Sequence, residues 1–256
     1  MSIVPDGTPL VLLNAFPLDR AQWDPLIDAL PEAPGDIIAF DVPGIGDMPL
    51  PEEEPSLELI ADAAVLAMRE VTGHDSAVWV GCSMGGYIAM AVAERHPEAV
   101  AGLALLGTKS TADTDAARAN RLAIADAVDG AAGHPDPRGA AEGLVGTQGP
   151  AREALVTAVA ANVARHGGEG IAWGQRAMAA RPDRTEVLRG LDVPAVVAVG
   201  ALDGIVSRDD ARVMADALGV QEAVLADVGH LCAWEAPDTV AGLVADLLAR
   251  ADADAT

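Results

Sequence analysis

Basic residues are scarce in this chain, and lysine is almost absent. The 256 residues hold 16 basic against 39 acidic side chains, Lys109 is the only lysine, and the formal net charge is -23. Such a surface repels nucleic acids and anionic membranes, so we expect neither as a partner. It also disfavours an acidic substrate, unless a local arginine such as Arg176 or Arg181 outweighs the overall charge.

Long hydrophobic runs, cysteine clusters and a leader are also missing. No apolar run approaches the roughly eighteen residues that span a bilayer, although 51% of the residues are hydrophobic. Residues 1–7 lack the basic region and apolar core of a secretory signal, and two cysteines make no disulfide framework. Cysteine and histidine do not cluster at metal-ligand spacing. We therefore expect a cytoplasmic protein that uses no metal or cofactor.

The most informative motif present is Gly-x-Ser-x-Gly, which ends the apolar run of residues 78–86 and leads into an Ala-rich helical pattern. A serine on a sharp strand-to-helix turn needs small residues two positions before and after it, as Gly81 and Gly85 are. The motif predicts a nucleophile elbow with Ser83 as nucleophile. Cys82 is excluded, because shifting the frame by one residue puts valine where glycine is needed. A glycine-rich loop after a core strand is the alternative interpretation.

A serine hydroxyl is a poor nucleophile at neutral pH, so it needs a histidine base and a carboxylate that orients the base. Of the five histidines, His230 alone lies in a loop between a predicted strand and the C-terminal helical pattern. Asp203 follows another predicted strand, whereas Asp227 is too close in sequence for a side-on contact with the ring. Ser83, Asp203 and His230 form the predicted triad, in the chain order of one hydrolase architecture.

The oxyanion of a tetrahedral intermediate needs two N–H donors, each worth about 3 kcal/mol of barrier. Met84 begins the elbow helix, and Phe16 lies in the loop after the first predicted strand. Their backbone N–H groups are the predicted donors, since the following Pro17 has none. Cys82 adjoins Ser83 and Cys232 follows His230 by two positions, which suggests the hypothesis that thiol reagents inhibit by steric blockage. The main interpretation of both cysteines is as small buried hydrophobic residues.

Short apolar runs alternate with helical patterns, which predicts an α/β fold with a mainly parallel sheet flanked by helices. Between residues 110 and 189 no strand is predicted, so this segment is interpreted as a helical cap on a core of residues 1–109 and 190–256. A helical extension that packs elsewhere is the alternative. The predicted strands are residues 9–14, 36–40, 76–81, 99–106, 193–200 and 221–226, and the candidate pocket residues are Asn14, Trp173 and Met178.

Five separated motifs, in the order found, resemble the α/β-hydrolase superfamily over nearly the full length. They are residues 14–19, residues 41–46, residues 81–86, Asp203 and the Gly-His pair at 229–230. The resemblance is closest to small carboxylesterases, enol-lactonases and cofactor-free haloperoxidase-like enzymes with a helical cap. One departure is that the family usually carries His-Gly where this sequence has Asn-Ala at positions 14 and 15.

The resemblance implies hydrolysis of a small ester, thioester or lactone through an acyl-enzyme, without a cofactor. The same triad could instead serve acyl transfer, perhydrolysis or hydrolysis of a carbon–carbon bond. A third interpretation is a low-turnover ligand-binding protein on a hydrolase fold, since a fold does not establish a function. The expected partner is a small acyl compound, and the sequence leaves homo-oligomer formation open.

Overall fold

A six-stranded parallel sheet forms the centre of the protein in the computed structural model, which describes residues 7–31 and 35–254. All six predicted strands are confirmed, each within two residues of its expected bounds. Residues 1–6, on which the leader prediction rests, lie outside the described ranges. The strands pair in the order β2-β1-β3-β4-β5-β6, and their bounds are β1 Leu10–Leu13, β2 Ile37–Phe40, β3 Ala77–Cys82, β4 Val100–Leu106, β5 Ala195–Gly200 and β6 Ala223–Leu225.

Helices flank the sheet and fill the interval between β4 and β5. Within the described ranges, no helix is both long and apolar enough to cross a bilayer. Ser56 caps the helix after β2 by accepting the N–H of Leu59 at 3.2 Å, a contact that sets where the helix begins. The helices are α1 Asp24–Ala29, α2 Leu57–Thr72, α3 Met84–Arg95, α4 Asp115–Val128, α5 Pro137–Leu144, α6 Arg152–Val163, α7 Gly168–Ala180, α8 Thr185–Arg189, α9 Arg208–Leu218, α10 Cys232–Glu235 and α11 Pro237–Asp254.

The sheet is buried on both faces, as a parallel sheet requires. Successive side chains of β1 point to opposite faces, and all four are fully buried. Leu10 and Leu12 pack in a cluster with residues of α1 and α11, while Val11 and Leu13 pack with residues of α2, α3 and α9. Apolar burial on two faces therefore fixes the central strands, and the strands in turn fix the points from which the loops at their ends begin.

The carboxyl ends of all six strands meet at one edge of the sheet. The chain order reverses at β1, which pairs with β2 on one side and β3 on the other, so a crevice opens between the loops that follow β1 and β3. Ser83 follows β3, Asp203 follows β5 and His230 follows β6. The topology therefore brings the predicted triad residues to the same edge.

Residues 110–189 form helices and loops without a strand, and they contact that edge of the sheet. The backbone N–H of His230 donates to the carbonyl of Leu144 at 3.0 Å. A Cβ placed on Gly170 would lie 2.1 Å from the carbonyl oxygen of Gly44, so the backbones of α7 and the loop after β2 touch. The division into a core of residues 1–109 and 190–256 and a cap of residues 110–189 stays a prediction.

Candidate active site

Ser83 lies on the turn between β3 and α3 with a φ of 53° and a ψ of -113°, a backbone region that non-glycine residues seldom adopt. Two close contacts make this turn dependent on glycine. A Cβ on Gly81 would lie 2.4 Å from the backbone of Gly85, and one on Gly85 would lie 1.9 Å from the carbonyl oxygen of Leu13. The motif spacing thus reflects how tightly β3, α3 and β1 approach one another.

Asp203 and His230 form a buried pair. The Nδ1 atom of His230 lies 2.9 Å from Oδ2 of Asp203, and the two side chains are 2% and 0% exposed. The other carboxylate oxygen, Oδ1, accepts the N–H groups of Ile205 at 2.8 Å and Val206 at 3.0 Å. Because both oxygens are occupied, the carboxylate is fixed, and an Nδ1 that donates to it leaves Nε2 as an acceptor. Asp227 is exposed and does not contact the ring.

The backbone N–H groups of Phe16 and Met84 are both without a hydrogen-bond acceptor in the described part of the chain. Met84 is the first residue of α3, whose N-terminus favours negative charge. The loop that carries Phe16 is held by Ala15, whose N–H donates to Oε1 of Gln22 at 2.8 Å. The predicted oxyanion donors therefore lie on two supported turns beside the crevice.

Asn14 does not line a pocket, so its prediction as a substrate-facing residue is wrong. Its side chain is fully buried, donates to Oδ1 of Asp41 at 3.3 Å and accepts the indole N–H of Trp23 at 2.7 Å. Its carbonyl oxygen accepts the N–H of Gly85 at 3.0 Å. Asn14 therefore ties the loop after β1 to the serine turn, and these contacts hold the loop in the absence of the usual His-Gly pair.

Ser83 and His230 open on the same cavity, which has a volume of about 510 Å³. Phe16, Leu144 and Met178 also line it, and Met178 is one of the three candidate pocket residues. Within the described ranges, no group of three or more histidine, cysteine or acidic side chains is arranged to hold a metal ion. The cavity therefore brings the candidate nucleophile and the candidate base together beside apolar walls.

Trp173 lies on the wrong side of α7 for the cavity, so its prediction as a pocket residue is wrong. Ile171, Gln175 and Met178 line the cavity, and their spacing of four and three residues places them on one helix face. Trp173 follows Ile171 by two positions, or about 200° around the helix, and it is buried in the core. Only the register of the folded helix distinguishes these positions.

Glu235 is a site residue that sequence reasoning missed. Its Oε2 accepts the N–H of Gly229 at 3.0 Å, the N–H of Gly146 at 2.9 Å, and both the N–H and the hydroxyl of Thr147 at 2.7 and 2.8 Å. Its Oε1 accepts the N–H of Leu231 at 3.1 Å. One carboxylate therefore holds both neighbours of His230 and ties them to Gly146 and Thr147, which precede Glu235 by 89 and 88 positions in the chain.

Both cysteines are fully buried, which agrees with their interpretation as small buried residues and argues against inhibition by thiol reagents. Burial raises the pKa of Cys232 to about 12 and that of Cys82 well above its ordinary value. With a pKa near 12, roughly one thiol in 10⁴ is ionised at pH 8. We expect iodoacetamide to add nothing to the native protein and to alkylate both cysteines in guanidinium, as measured by intact mass. Alkylation of the native protein within minutes would contradict this.

Residues 8–237 match the alpha/beta hydrolase fold family. Among curated relatives, a pimeloyl-[acyl-carrier protein] methyl ester esterase of Aromatoleum aromaticum is 37% identical over 99 residues, which cover 39% of this chain. Those residues cover 36% of that esterase, and the chain covers 25% of a biotin biosynthesis bifunctional protein of Teredinibacter turnerae. The chain thus spans only a quarter to about a third of these two relatives.

Two solved structures resemble the whole chain. A thermophilic esterase from Thermogutta terrifontis, with malate bound, is 27% identical with a TM-score of 0.89, and the match covers 97% of this chain and 92% of that one. The enol-lactonase from Burkholderia xenovorans shares the fold at 23% identity, with a TM-score of 0.81 over 95% and 92% of the two chains. Since the family match covers most of its length, this chain belongs to the alpha/beta hydrolase fold family.

Proposed function

We propose that this protein is a serine hydrolase that cleaves a small carboxylic ester, thioester or lactone through an acyl-enzyme. The observation that carries the proposal is the buried Asp203–His230 pair, which opens with Ser83 on one cavity. The esterase from Thermogutta terrifontis, similar over nearly the whole chain, supports ester chemistry at this site. No cofactor is needed, because the nucleophile, the base and the oxyanion donors all belong to the chain.

The first half of the reaction forms the acyl-enzyme. The Oγ atom of Ser83 attacks the carbonyl carbon, and its proton passes to Nε2 of His230. The carbonyl electron pair moves to oxygen, and that oxyanion accepts the N–H groups of Phe16 and Met84, each worth about 3 kcal/mol. The carboxylate of Asp203 stabilises the imidazolium that forms. Collapse of the intermediate breaks the bond to the leaving group, which takes the proton from His230.

The second half releases the acid. A water molecule gives a proton to Nε2 of His230 and attacks the acyl carbon, and a second oxyanion forms between the same two donors. Its collapse breaks the bond to Oγ of Ser83, which recovers its proton from His230. For a lactone, the leaving hydroxyl stays attached to the acyl chain, so a single hydroxy acid is released.

We assign residues 110–189 as the cap over this site. Leu144, Ile171 and Met178 come from this segment and line the cavity beside Ser83. A Cβ on Gly174 would lie 2.3 Å from the ring of Phe16, which supports close packing of α7 on the loop after β1. An acyl group in the cavity would then lie between the core and the cap, shielded from bulk water.

Fluorophosphonate labelling tests the proposal directly. We expect a single adduct, mapped by mass spectrometry to Ser83, together with turnover of a short p-nitrophenyl ester. Ser83→Ala should lose both, because it removes the only nucleophile on the turn. Ser76→Ala is the matched control, since Ser76 makes no hydrogen bond within the described ranges and is distant in the fold from the cavity lining. A folded wild-type protein with neither adduct nor turnover would refute the proposal.

A further inference from the structure

The cavity is free of acidic side chains although the protein is strongly acidic. Acidic residues number 39 in the chain, yet none is among the described residues that line the cavity. Apart from His230, the basic side chains that line it are Arg121 and His134. The side chains that line the cavity thus include an arginine and no carboxylate, in contrast to the acidic excess of the whole chain.

Arg121 lines this cavity and has one donor group without a partner in the described part of the chain. Its Nε donates to Oδ2 of Asp113 at 2.7 Å, and its Nη1 donates to Oε1 of Gln175 at 3.1 Å. The remaining Nη2 group has no hydrogen-bond partner in the described part of the chain, and the side chain is 23% exposed. The hydrogen bonds of Nε and Nη1 therefore hold the guanidinium in place, and Nη2 remains able to donate to a ligand. Gln175 uses its carbonyl oxygen on Arg121, so its NH₂ group stays a donor.

The cluster around Arg121 carries a positive excess. Asp113 is 3% exposed and contacts Arg121 at 2.7 Å, Arg181 at 2.8 Å and Lys109 at 3.8 Å, so one carboxylate faces three cations. Burial alone would raise the pKa of Asp113, but hydrogen bonds from the two arginines outweigh it and lower that pKa. Arg181 also lies 4.0 Å from the ring centre of Tyr87, which lines the cavity.

We infer that the acyl group of the substrate ends in a carboxylate that Arg121 binds inside the cavity. The inference rests on the proposed function and narrows its substrate class to half-esters of dicarboxylic acids and lactones that carry a carboxylate. Arginine suits this ligand because its planar donors match a carboxylate. The neutral donors of Tyr87 and Gln175 lie on the same cavity wall as Arg121.

The net charge of -23 does not prevent such binding. Exposed charges are screened over about 8 Å at physiological ionic strength, whereas a direct contact with Arg121 in a partly buried cavity is not. The sequence-based expectation against an acidic substrate is therefore reversed by a local arginine. Neither arginine named for that role lines the cavity, since Arg176 pairs with Asp126 and Asp129 and Arg181 lies behind Tyr87.

A paired substrate series tests the inference. Methyl half-esters of dicarboxylic acids with five to eight carbons are each compared with the neutral methyl ester of equal acyl length, with kcat/KM followed by proton release. We expect the wild type to prefer the best half-ester by about tenfold to a hundredfold, the range for a hydrogen bond to a charged group. Arg121→Gln should abolish the preference by lowering kcat/KM for the half-ester at least tenfold relative to its neutral counterpart, and Arg121→Lys should keep part of it.

The control variant is Arg176→Gln, which removes an arginine of α7 that does not line the cavity. Its preference should equal that of the wild type. Thermal unfolding of each variant checks that Asp113 and its remaining partners keep the fold. Equal or better turnover of the neutral esters by the wild type, or an unchanged preference in Arg121→Gln, would overturn the inference.

A binding measurement separates this inference from the proposed function. Calorimetry on Ser83→Ala with each half-ester of the series should find at least one whose dissociation constant rises at least tenfold when Arg121→Gln is added. If no ester is turned over but this binding is found, the hydrolase proposal fails and the carboxylate site stands. If neutral esters are hydrolysed and Arg121 has no effect on either measurement, the hydrolase proposal stands and the carboxylate site fails.

Discussion

Replacing Asp203 with asparagine is expected to lower kcat for ester hydrolysis about 10⁴-fold while leaving the fold intact. The reason lies in the two N–H groups, from Ile205 and Val206, that donate to Oδ1 of Asp203. They will fix the carbonyl oxygen of the new amide at that position and turn its NH₂ group toward Nδ1 of His230. That nitrogen must then accept, so Nε2 carries the proton and can no longer take one from Ser83.

The matched control for this substitution is Asp227→Asn. Asp227 lies three residues before His230, is exposed, and has a φ of 58°, a conformation that asparagine tolerates well. We expect its kcat and kcat/KM to stay within about twofold of the wild type. Both variants are compared by steady-state kinetics on a neutral ester and by thermal unfolding. An Asp203→Asn enzyme within tenfold of the wild type would show that the pair does not set the tautomer of His230.

The sequence predicted the elements whose signals are local. Each strand is a short apolar run between turn residues, and the parallel order puts every strand end at one edge. Gly81 and Gly85 identified the serine turn because the contacts that require glycine there are close to the turn. A Cβ on Gly81 would meet the backbone of Gly85, and a Cβ on Gly85 would meet Leu13 of the adjacent strand. The pairing of Asp203 with His230 followed from the same reasoning, since each lies in the loop that follows a strand.

The parts that could not be predicted depend on how residues 110–189 fold back. Whether Trp173 or Gln175 faces the cavity is decided by the rotation of α7, which composition does not reveal. Nothing in the sequence around Arg121 distinguishes it from the other arginines. Its position at the cavity depends on the packing of its helix against Gln175, which lies 54 residues later in the chain. Asn14 lies in the loop that carries Phe16, but its hydrogen bonds to Asp41 and Trp23 turn its side chain away from the cavity.

Glu235→Gln is expected to lower kcat for a neutral ester about 10²-fold, the effect of misplacing a catalytic group by about 1 Å. The two oxygens of Glu235 accept hydrogen bonds from five donor groups, and every recorded partner of these oxygens is a donor. A glutamine that keeps its oxygen at the Oε2 position must point an NH₂ group at the N–H of Leu231. Two donors then face each other beside His230, at a cost of about 1–3 kcal/mol.

The effect should appear in kcat more than in KM, because Glu235 does not line the cavity but fixes the loop that carries the base. Asp238→Asn is the matched control. Asp238 is an exposed carboxylate three residues along the chain without a hydrogen bond within the described ranges, so its loss should cost at most about 1 kcal/mol at the start of α11. Steady-state kinetics and denaturant unfolding compare the two variants. A lower free energy of unfolding in Glu235→Gln with an unchanged kcat would mean that this carboxylate stabilises the fold without positioning His230.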